Sequence, residues 1–314
     1  MRGRFAPTPS GRMHLGNVFA ALVAWLAARA AGGEMVLRIE DLDPRAASRE
    51  RAELLMDDLR WLGLTWDEGP FWQSERSAAY DEAIERLTEA GLTYPCFCSR
   101  AELHAASAPH ASDGTPVYAG TCRGLSPDEA ARRAAERPPA TRLRVPDAND
   151  PAGTIEFCDL AYGPRREVLA RECGDFLVRR SDGVVAYQLA VVVDDALMGV
   201  TQVVRGRDLL GSCARQIYLG RLLGWEPPEF GHVPLLVAPD GRRLSKRERD
   251  LDLGALRERG VTPARLVGAL AAAADLADSG CEATPDELVD AFSWNRLRRE
   301  DIVVDDDLLA RLLG

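Results

Sequence analysis

The N-terminal segment constrains the fold most, because it contains a strand, an apolar helix and a second strand in close succession. Residues 5–9 form an extended entry, residues 18–31 form the predicted helix with Asn17 as its cap, and residues 35–39 form the next strand. Strand, helix and strand at this spacing are typical of a βαβ unit, which requires parallel strands. We therefore expect an α/β fold with a Rossmann-type, doubly wound parallel sheet.

The rest of the chain alternates between regular elements and one irregular stretch. Its predicted elements are helices at 46–62, 78–90 and 213–223 and strands at 176–178 and 190–193. The cysteine-rich stretch from residue 94 to about 171 holds one short helix with a capping box at Ser126, which indicates an insertion. The predicted parts are the first half of the Rossmann-type domain at 1–93, an inserted subdomain at 94–174, the second half at 175–250 and a small helical region at 251–314.

The composition fits a globular chain and excludes several classes of protein. Hydrophobic residues make up 46% and charged residues 28% of the 314 residues, unlike a disordered or fibrous chain. Acidic residues exceed basic ones by 49 to 39, which disfavours a chain coated by nucleic acid or held flat on an anionic membrane. No apolar run approaches the ~18 residues that span a bilayer, and no secretory signal is recognised. The seven cysteines fit a reducing compartment, so we expect a cytoplasmic protein without membrane attachment.

Two short segments predict a nucleotide-binding site. His14-Leu15-Gly16-Asn17 lies where the first strand leads into the first helix, the point at which doubly wound folds bind phosphate. Arg243-Leu244-Ser245-Lys246-Arg247 follows a turn and contains the single lysine of the sequence, all other basic residues being arginine. A lysine retained in such a chain indicates a need for a compact ammonium group. Neither a Gly-x-Gly-x-x-Gly nor a Walker A motif occurs, so dinucleotide binding and P-loop hydrolysis are not expected.

Together, these segments resemble the paired ATP-binding motifs of class I aminoacyl-tRNA synthetases, His-Ile-Gly-His and Lys-Met-Ser-Lys-Ser. The resemblance implies a class I catalytic core that binds ATP with Mg²⁺ and in which His14 and Lys246 are catalytic. It assigns ATP binding to His14, Gly16, Asn17, Arg243, Leu244, Ser245, Lys246 and Arg247. Positive groups and donors around the α-phosphate would stabilise the charge it gains during adenylation.

Further motifs extend the resemblance to glutamyl-tRNA synthetase. They are Arg4-Phe5-Ala6-Pro7-Thr8-Pro9-Ser10-Gly11, Arg38-Ile39-Glu40-Asp41-Leu42-Asp43, Trp72-Gln73-Ser74, Tyr187-Gln188-Leu189-Ala190 and Val204-Arg205-Gly206-Arg207-Asp208-Leu209. Glutamate carries one ammonium, which Glu40 can hold, and two carboxylates, which Arg4 and Arg205 can bind. The hydroxyl of Tyr187 is an added donor. The resemblance assigns the glutamate site to Arg4, Phe5, Ala6, Pro7, Thr8, Glu40, Tyr187 and Arg205.

The inserted subdomain carries a candidate metal site. Cys96 and Cys98 are followed by Cys122, and three thiolates with one further ligand suit a closed, structural Zn²⁺ site. On ligand chemistry alone, His110 or His104 is a better fourth ligand than a phenol. Basic residues in or beside this subdomain and near the C-terminus are candidates for RNA contact: Arg132, Arg133, Arg142, Arg144, Arg165, Arg166, Arg296, Arg298 and Arg299.

Residues 251–314 leave room for a small helical region rather than the long anticodon-binding region of full-length glutamyl-tRNA synthetases. In this respect the chain resembles a truncated paralogue family, the glutamyl-Q tRNA(Asp) synthetases. Their zinc ligands match Cys96, Cys98, Tyr118 and Cys122 in order, so the resemblance favours Tyr118 as the fourth ligand. It further implies that glutamate is activated without tRNA and passed to the queuosine base in the anticodon arm of tRNA(Asp). No protein partner is implied.

Two alternative functions share these residues. Glutamate activation with another acceptor (another tRNA, a small metabolite or a carrier) uses the same pocket, so the sequence does not separate the two. A catalytically inactive paralogue that only binds tRNA is disfavoured, because His14, Glu40, Arg205 and Lys246 are all present.

Overall fold

A computed structural model of the chain describes residues 1–43, 45, 48–99, 102, 117–242 and 252–313. The β-strands are β1 Arg2–Phe5, β2 Glu34–Ile39, β3 Glu68–Trp72, β4 Thr93–Cys96, β5 Ala140–Leu143, β6 Thr154–Asp159, β7 Gly163–Val168, β8 Phe176–Arg179, β9 Gln202–Gly206, β10 Glu229–Val233, β11 Leu236–Val237 and β12 Ile302–Val303. The α-helices are α1 Leu15–Ala30, α2 Arg49–Trp61, α3 Ser77–Glu89, α4 Pro127–Glu136, α5 Leu169–Glu172, α6 Tyr187–Leu197, α7 Cys213–Leu222, α8 Leu253–Glu258, α9 Pro263–Ala273, α10 Pro285–Leu288 and α11 Asp306–Leu313.

Two sets of parallel strands lie side by side at the centre of the fold. β1 pairs with β2 and β2 with β3, all in parallel, as the βαβ pattern predicted. β9 pairs in parallel with β10, and β10 with β6, whose outer partner β7 is antiparallel. Arg2 N donates to Thr201 Oγ1 at 2.8 Å and Thr201 N donates to Arg2 O at 2.9 Å, which ties β1 to the start of β9. The predicted α/β class with a parallel sheet is confirmed.

The first helix begins earlier than the sequence suggested. α1 starts at Leu15, and the extended residue His14 occupies the N-cap position, so the prediction that Asn17 caps the helix is wrong. Leu15, Val18 and Phe19 are fully buried, which shows that the apolar periodicity begins before Asn17. Burial of this face, rather than a side-chain cap, decides where the helix starts. With this start, His14 and the first N–H groups of the helix line the same cavity as the end of β1.

The predicted strand at 190–193 is also wrong, because these residues lie within α6. β-branched valines favour strands, but the choice is settled here by packing. Leu189, Ala190 and Val193 are buried on α6, and the buried carboxylate of Asp194 accepts hydrogen bonds from Gln73 Nε2 at 2.8 Å and Tyr80 Oη at 2.9 Å. The next two strands along the chain are β9 and β10, and neither was predicted from the sequence.

The remaining elements form two smaller groups. β4, β5 and β8 make an antiparallel sheet, and Cys96 of the predicted metal site is the last residue of β4. The C-terminal helices α8–α11 pack on α1, and Asp305 caps the last of them by accepting from Leu308 N at 2.9 Å. A Cβ at Gly231 would lie 2.3 Å from Trp294 Cη2, so the C-terminal region contacts β10 closely where only glycine fits. None of the helices described is long and apolar enough to cross a membrane. The four-part division of the chain stays a prediction.

Candidate active site

A cavity of about 480 Å³ lies at the carboxyl ends of β1, β2, β9 and β10, a size suited to small-molecule ligands. It brings together predicted site residues from five separate segments of the chain. They are Arg4, Phe5, Ala6, Pro7, Thr8, His14, Gly16, Asn17, Glu40, Tyr187 and Arg205. Ser10, Met13, Asp208 and Leu209 also line it and were not predicted. The segment 243–247, with Lys246, lies outside the described residues.

One end of the cavity is formed by the N-terminus of α1. Its N–H groups provide a positive helix end, and Gly16 and Asn17 line the cavity there. A Cβ at Gly16 would lie 3.2 Å from His14 Cε1 and 3.3 Å from His14 Nδ1, so the glycine leaves room for the imidazole. Both flanks of the segment 243–251 are fixed: Ala238 N donates to Arg242 O at 2.8 Å, and Asp252 forms a bridge with His14. The chain therefore resumes directly beside the histidine of the first motif.

The opposite end of the cavity contains a buried ionic network around Arg4 and Glu40. Arg38, fully buried beneath the cavity, donates to Asp195 at 2.7 Å and to Glu40 at 3.4 Å. Asp195 also lies 3.6 Å from Arg4, whose Nη1 donates to Val204 O at 3.0 Å. Burial raises the pKa of the Glu40 carboxyl, against the opposing charges of Arg38 and Arg4. An ammonium group bound there would favour the charged carboxylate.

Arg205 lies at the end of β9 and is only 6% exposed. Its Nε donates to His232 Nε2 at 3.1 Å, and its Nη2 donates to Leu209 O at 3.2 Å and to Cys213 Sγ at 3.3 Å. Burial lowers the pKa of Arg205, but Cys213 and Tyr187 more than offset this effect, and the net shift is upward. Arg205 is therefore a permanently charged group fixed in the cavity wall. Tyr187, at the start of α6, shares that wall.

Sequence reasoning missed three residues that support this site: Asp195, His232 and Asp159. His232 Nδ1 lies 2.6 Å from Asp159 Oδ2, and both side chains are fully buried. The available signal was a histidine among the apolar residues Phe230 and Val233 of β10. Asp159 is distant in sequence and comes from β6, so no local pattern could have linked the two.

The predicted metal site assembles away from the cavity. The Sγ atoms of Cys96, Cys98 and Cys122 lie within 4.8 Å of one another, and Cys98 and Cys122 are 3.6 Å apart. Tyr118 Oη lies 3.6 Å from the Sγ atoms of both Cys96 and Cys98 and accepts a hydrogen bond from Cys122 N at 2.8 Å. This arrangement brings the phenol into the cluster. His104 and His110 lie outside the described residues.

Burial and one arginine, Arg142, shift the pKa values of the cysteines in this cluster. Burial and the nearby thiols of Cys96 and Cys122 raise the pKa of Cys98 to about 11. Burial acts to raise the pKa of Cys96 as well, but hydrogen bonds from the Cys98 backbone and the Arg142 side chain bring that pKa below the ordinary value. Arg142 donates to Cys96 Sγ at 3.2 Å and stacks 3.7 Å from the Tyr118 ring centroid. Arg142 is only 5% exposed and so does not belong to a basic surface, which removes it from the candidates for RNA contact.

The fold is that of a class I synthetase catalytic domain. The family described as tRNA synthetases class I (E and Q), catalytic domain, matches residues 1–308. A crystal structure of a glutamate tRNA ligase from Elizabethkingia meningosepticum in complex with its amino acid superposes with a TM-score of 0.82 at 27% identity. The match covers 99% of this chain and 68% of that one.

Two curated relatives are similar over nearly their whole length. The glutamyl-Q tRNA(Asp) synthetase of Symbiobacterium thermophilum is 51% identical over 99% of this chain and 98% of its own. That of Nitratidesulfovibrio vulgaris is 48% identical over the same shares. The chain belongs to the class I (E and Q) synthetases and, within them, to the glutamyl-Q tRNA(Asp) synthetase family.

Proposed function

We propose that the protein activates L-glutamate with ATP and transfers the glutamyl group to the queuosine base at the wobble position of tRNA(Asp). The observation that carries the proposal is that Arg205, Arg4 and Glu40 share one cavity with the N-terminus of α1. Two guanidinium groups and a carboxylate match the charges of glutamate. The helix N-terminus matches the phosphates of ATP.

In the proposed reaction, an oxygen of the glutamate α-carboxylate attacks the α-phosphorus of ATP. The bond from that phosphorus to the bridging oxygen breaks, and pyrophosphate leaves. His14 is the proposed donor to the phosphates at the start of α1, and Lys246 is the second proposed positive group. Mg²⁺ accompanies ATP and offsets the phosphate charge. Such stabilising groups typically change the rate by roughly 10²–10³ each.

At the amino-acid end, each charged group has one proposed partner. Glu40 would hold the ammonium, while Arg4 and Arg205 would hold carboxylates, with Tyr187 as an added donor. Because Arg205 is buried and charged, a neutral amide in place of the side-chain carboxylate would leave its charge uncompensated. This supports glutamate rather than glutamine as the substrate.

We further propose that Cys96, Cys98, Cys122 and Tyr118 hold a structural Zn²⁺. Tetrahedral zinc with bonds of about 2.3 Å to sulfur and about 2.0 Å to oxygen requires edges of roughly 3.8 Å and 3.5 Å. The 3.6 Å separation of the Cys98 and Cys122 Sγ atoms, and the 3.6 Å from Tyr118 Oη to two of the sulfurs, support this set. All four positions would be filled by protein, so the ion would supply rigidity rather than chemistry.

Similarity to the glutamyl-Q relatives over nearly their whole length supports the acceptor. We accordingly propose that the substrate tRNA is gripped at its anticodon arm and that glutamate is activated in the absence of tRNA. Thiolate ligands for zinc also favour a reducing compartment, so the cytoplasm is the proposed location.

The decisive experiment charges purified tRNA(Asp), with and without queuosine, using labelled glutamate. We expect label on the queuosine-containing RNA alone, and none when periodate first cleaves the cyclopentene diol of that base. ATP–pyrophosphate exchange with glutamate and no RNA tests the activation step separately. Equal charging of unmodified tRNA(Asp) would refute the acceptor, whereas absent exchange would refute tRNA-independent activation.

A further inference from the structure

We infer that Asp159 and His232 are positioning residues that hold Arg205 in the single orientation in which it binds the side-chain carboxylate of the substrate. The inference rests on the proposed glutamate activation and adds to it how the carboxylate-binding arginine is fixed. The three side chains form a buried chain from β6 through β10 to β9, with exposures of 1%, 0% and 6%.

The carboxylate of Asp159 determines which nitrogen of His232 carries the proton. Asp159 Oδ1 accepts from Tyr162 N at 2.9 Å and Ala161 N at 3.0 Å, so that oxygen is committed to backbone donors. Asp159 Oδ2 faces His232 Nδ1 at 2.6 Å. Burial acts to raise the pKa of Asp159, but the bond from His232 brings it below the ordinary value, so the group is an acceptor. His232 must therefore donate from Nδ1.

With its proton on Nδ1, a neutral His232 presents the Nε2 lone pair to Arg205. Arg205 Nε donates to it at 3.1 Å. Burial, reinforced by the charge of Arg205, lowers the pKa of His232, so the ring stays neutral and does not repel the guanidinium. The other tautomer would direct an N–H at another N–H and break the contact.

The remaining contacts of Arg205 leave it little freedom. Its Nη2 donates to Leu209 O and to Cys213 Sγ, and the guanidinium lies 5.4 Å from the Phe230 ring centroid. Burial raises the pKa of Cys213 to about 11, so it remains a neutral thiol here. None of these bonds uses Nη1, so within the part of the chain that the structure describes Nη1 is the nitrogen left to bind a carboxylate. A guanidinium fixed at Nε and Nη2 is preorganised for the substrate carboxylate.

Asp159→Asn is the sharpest test, because it preserves the side-chain volume and replaces one carboxylate oxygen, a hydrogen-bond acceptor, by an NH₂ group, a donor. The amide NH₂ avoids the position of Oδ1, where three backbone N–H groups point, and so faces His232 Nδ1. His232 is then driven to the Nε2–H tautomer, against Arg205. We expect the KM for glutamate in ATP–pyrophosphate exchange to rise about 10- to 100-fold, with the KM for ATP unchanged within about twofold.

A matched control on the same strand is Glu156→Gln, the same acid-to-amide change at an exposed residue paired with Arg166. It should leave both KM values unchanged. His232→Phe, which keeps ring volume and removes the acceptor, should reproduce the rise in the KM for glutamate if Asp159→Asn does not fold. Nitrogen NMR of the four histidines of the wild-type protein, with His232→Phe identifying the signal, should show the Nδ1–H tautomer for His232.

The outcomes separate the inference from the proposed function. A wild-type protein without glutamate-dependent exchange refutes the function, while the NMR spectrum still reports the tautomer. A wild-type His232 protonated on Nε2 overturns the inference even if exchange is normal. So does an Asp159→Asn variant that folds and keeps the wild-type KM for glutamate.

Discussion

Replacing Arg205 by glutamine tests the electrostatic basis of substrate choice. The substitution removes the charge of a side chain that lines the cavity and belongs to a residue only 6% exposed. Glutamine keeps a neutral hydrogen-bond donor on a shorter side chain. Loss of one partner from a buried ion pair costs about 3–5 kcal/mol. At about 1.4 kcal/mol per tenfold, this corresponds to a loss of roughly 10²–10³ or more in kcat/KM for glutamate. Arg4 and Glu40 remain, so the α-carboxylate and ammonium contacts should persist.

The assay is ATP–pyrophosphate exchange over a range of glutamate concentrations, combined with direct measurement of ATP binding. ATP affinity should remain at the wild-type value, because the N-terminus of α1 is unchanged. Arg207→Gln is the control, because Arg207 lies two residues after Arg205 but does not line the cavity. Its side chain is 42% exposed and pairs with Asp301. Thermal unfolding checks that Arg205→Gln still folds without its bonds to His232 and Cys213. A folded Arg205→Gln protein with normal kcat/KM for glutamate would remove Arg205 from the substrate site.

Three further changes address the other parts of the molecule. Tyr118→Phe removes the oxygen 3.6 Å from two cysteine sulfurs and should weaken zinc retention about 10- to 100-fold in a chelator competition; unchanged retention would assign the fourth position to another ligand. Gly16→Ala places a Cβ 3.2 Å from the His14 ring and should lower the exchange rate about tenfold with little change in thermal stability; a fully active variant would show that the ring position is unimportant. Burial lowers the pKa of His232 from 6.5, so the unfolded chain binds a proton at this ring more readily than the folded protein does. The free energy of unfolding should therefore fall as the pH drops below about 6.5, by at most about 1.4 kcal/mol per pH unit from this group. His232→Phe should flatten that part of the urea-unfolding profile, and an identical slope in both proteins would contradict the assignment.

Much of the fold follows from local patterns in the sequence. The βαβ unit, the strand at 176–178 and the helix beginning at Cys213 are confirmed, because each is a continuous pattern with clear ends. The errors occur where tertiary packing outweighs local preference. Valines at 191–193 adopt a helix because α6 is buried against its neighbours, and α1 begins before Asn17 because its apolar face does.

The site shows a similar division. Residues carried by recognisable motifs, such as His14, Glu40 and Arg205, were identified and line one cavity, although their roles stay predictions. Asp159, Asp195 and His232 were missed because each acts through a contact between distant segments. Asp159 and His232 are separated by 73 positions, and only the pairing of β6 with β10 brings them together. A lone histidine in a strand does not indicate which distant residue it will contact.

The position of β6 has a consequence for anyone who builds hybrid enzymes from relatives of this chain. The strand follows the cysteine cluster in sequence, yet its last residue, Asp159, pairs in register with Phe230 on β10. A transplant of the cysteine-bearing segment that ends beyond β6 would import a foreign carboxylate beneath the host's own arginine. Swaps that move β6 and β10 as a unit should therefore retain amino-acid selectivity, and swaps that separate the two strands should lose it even where the grafted segment folds.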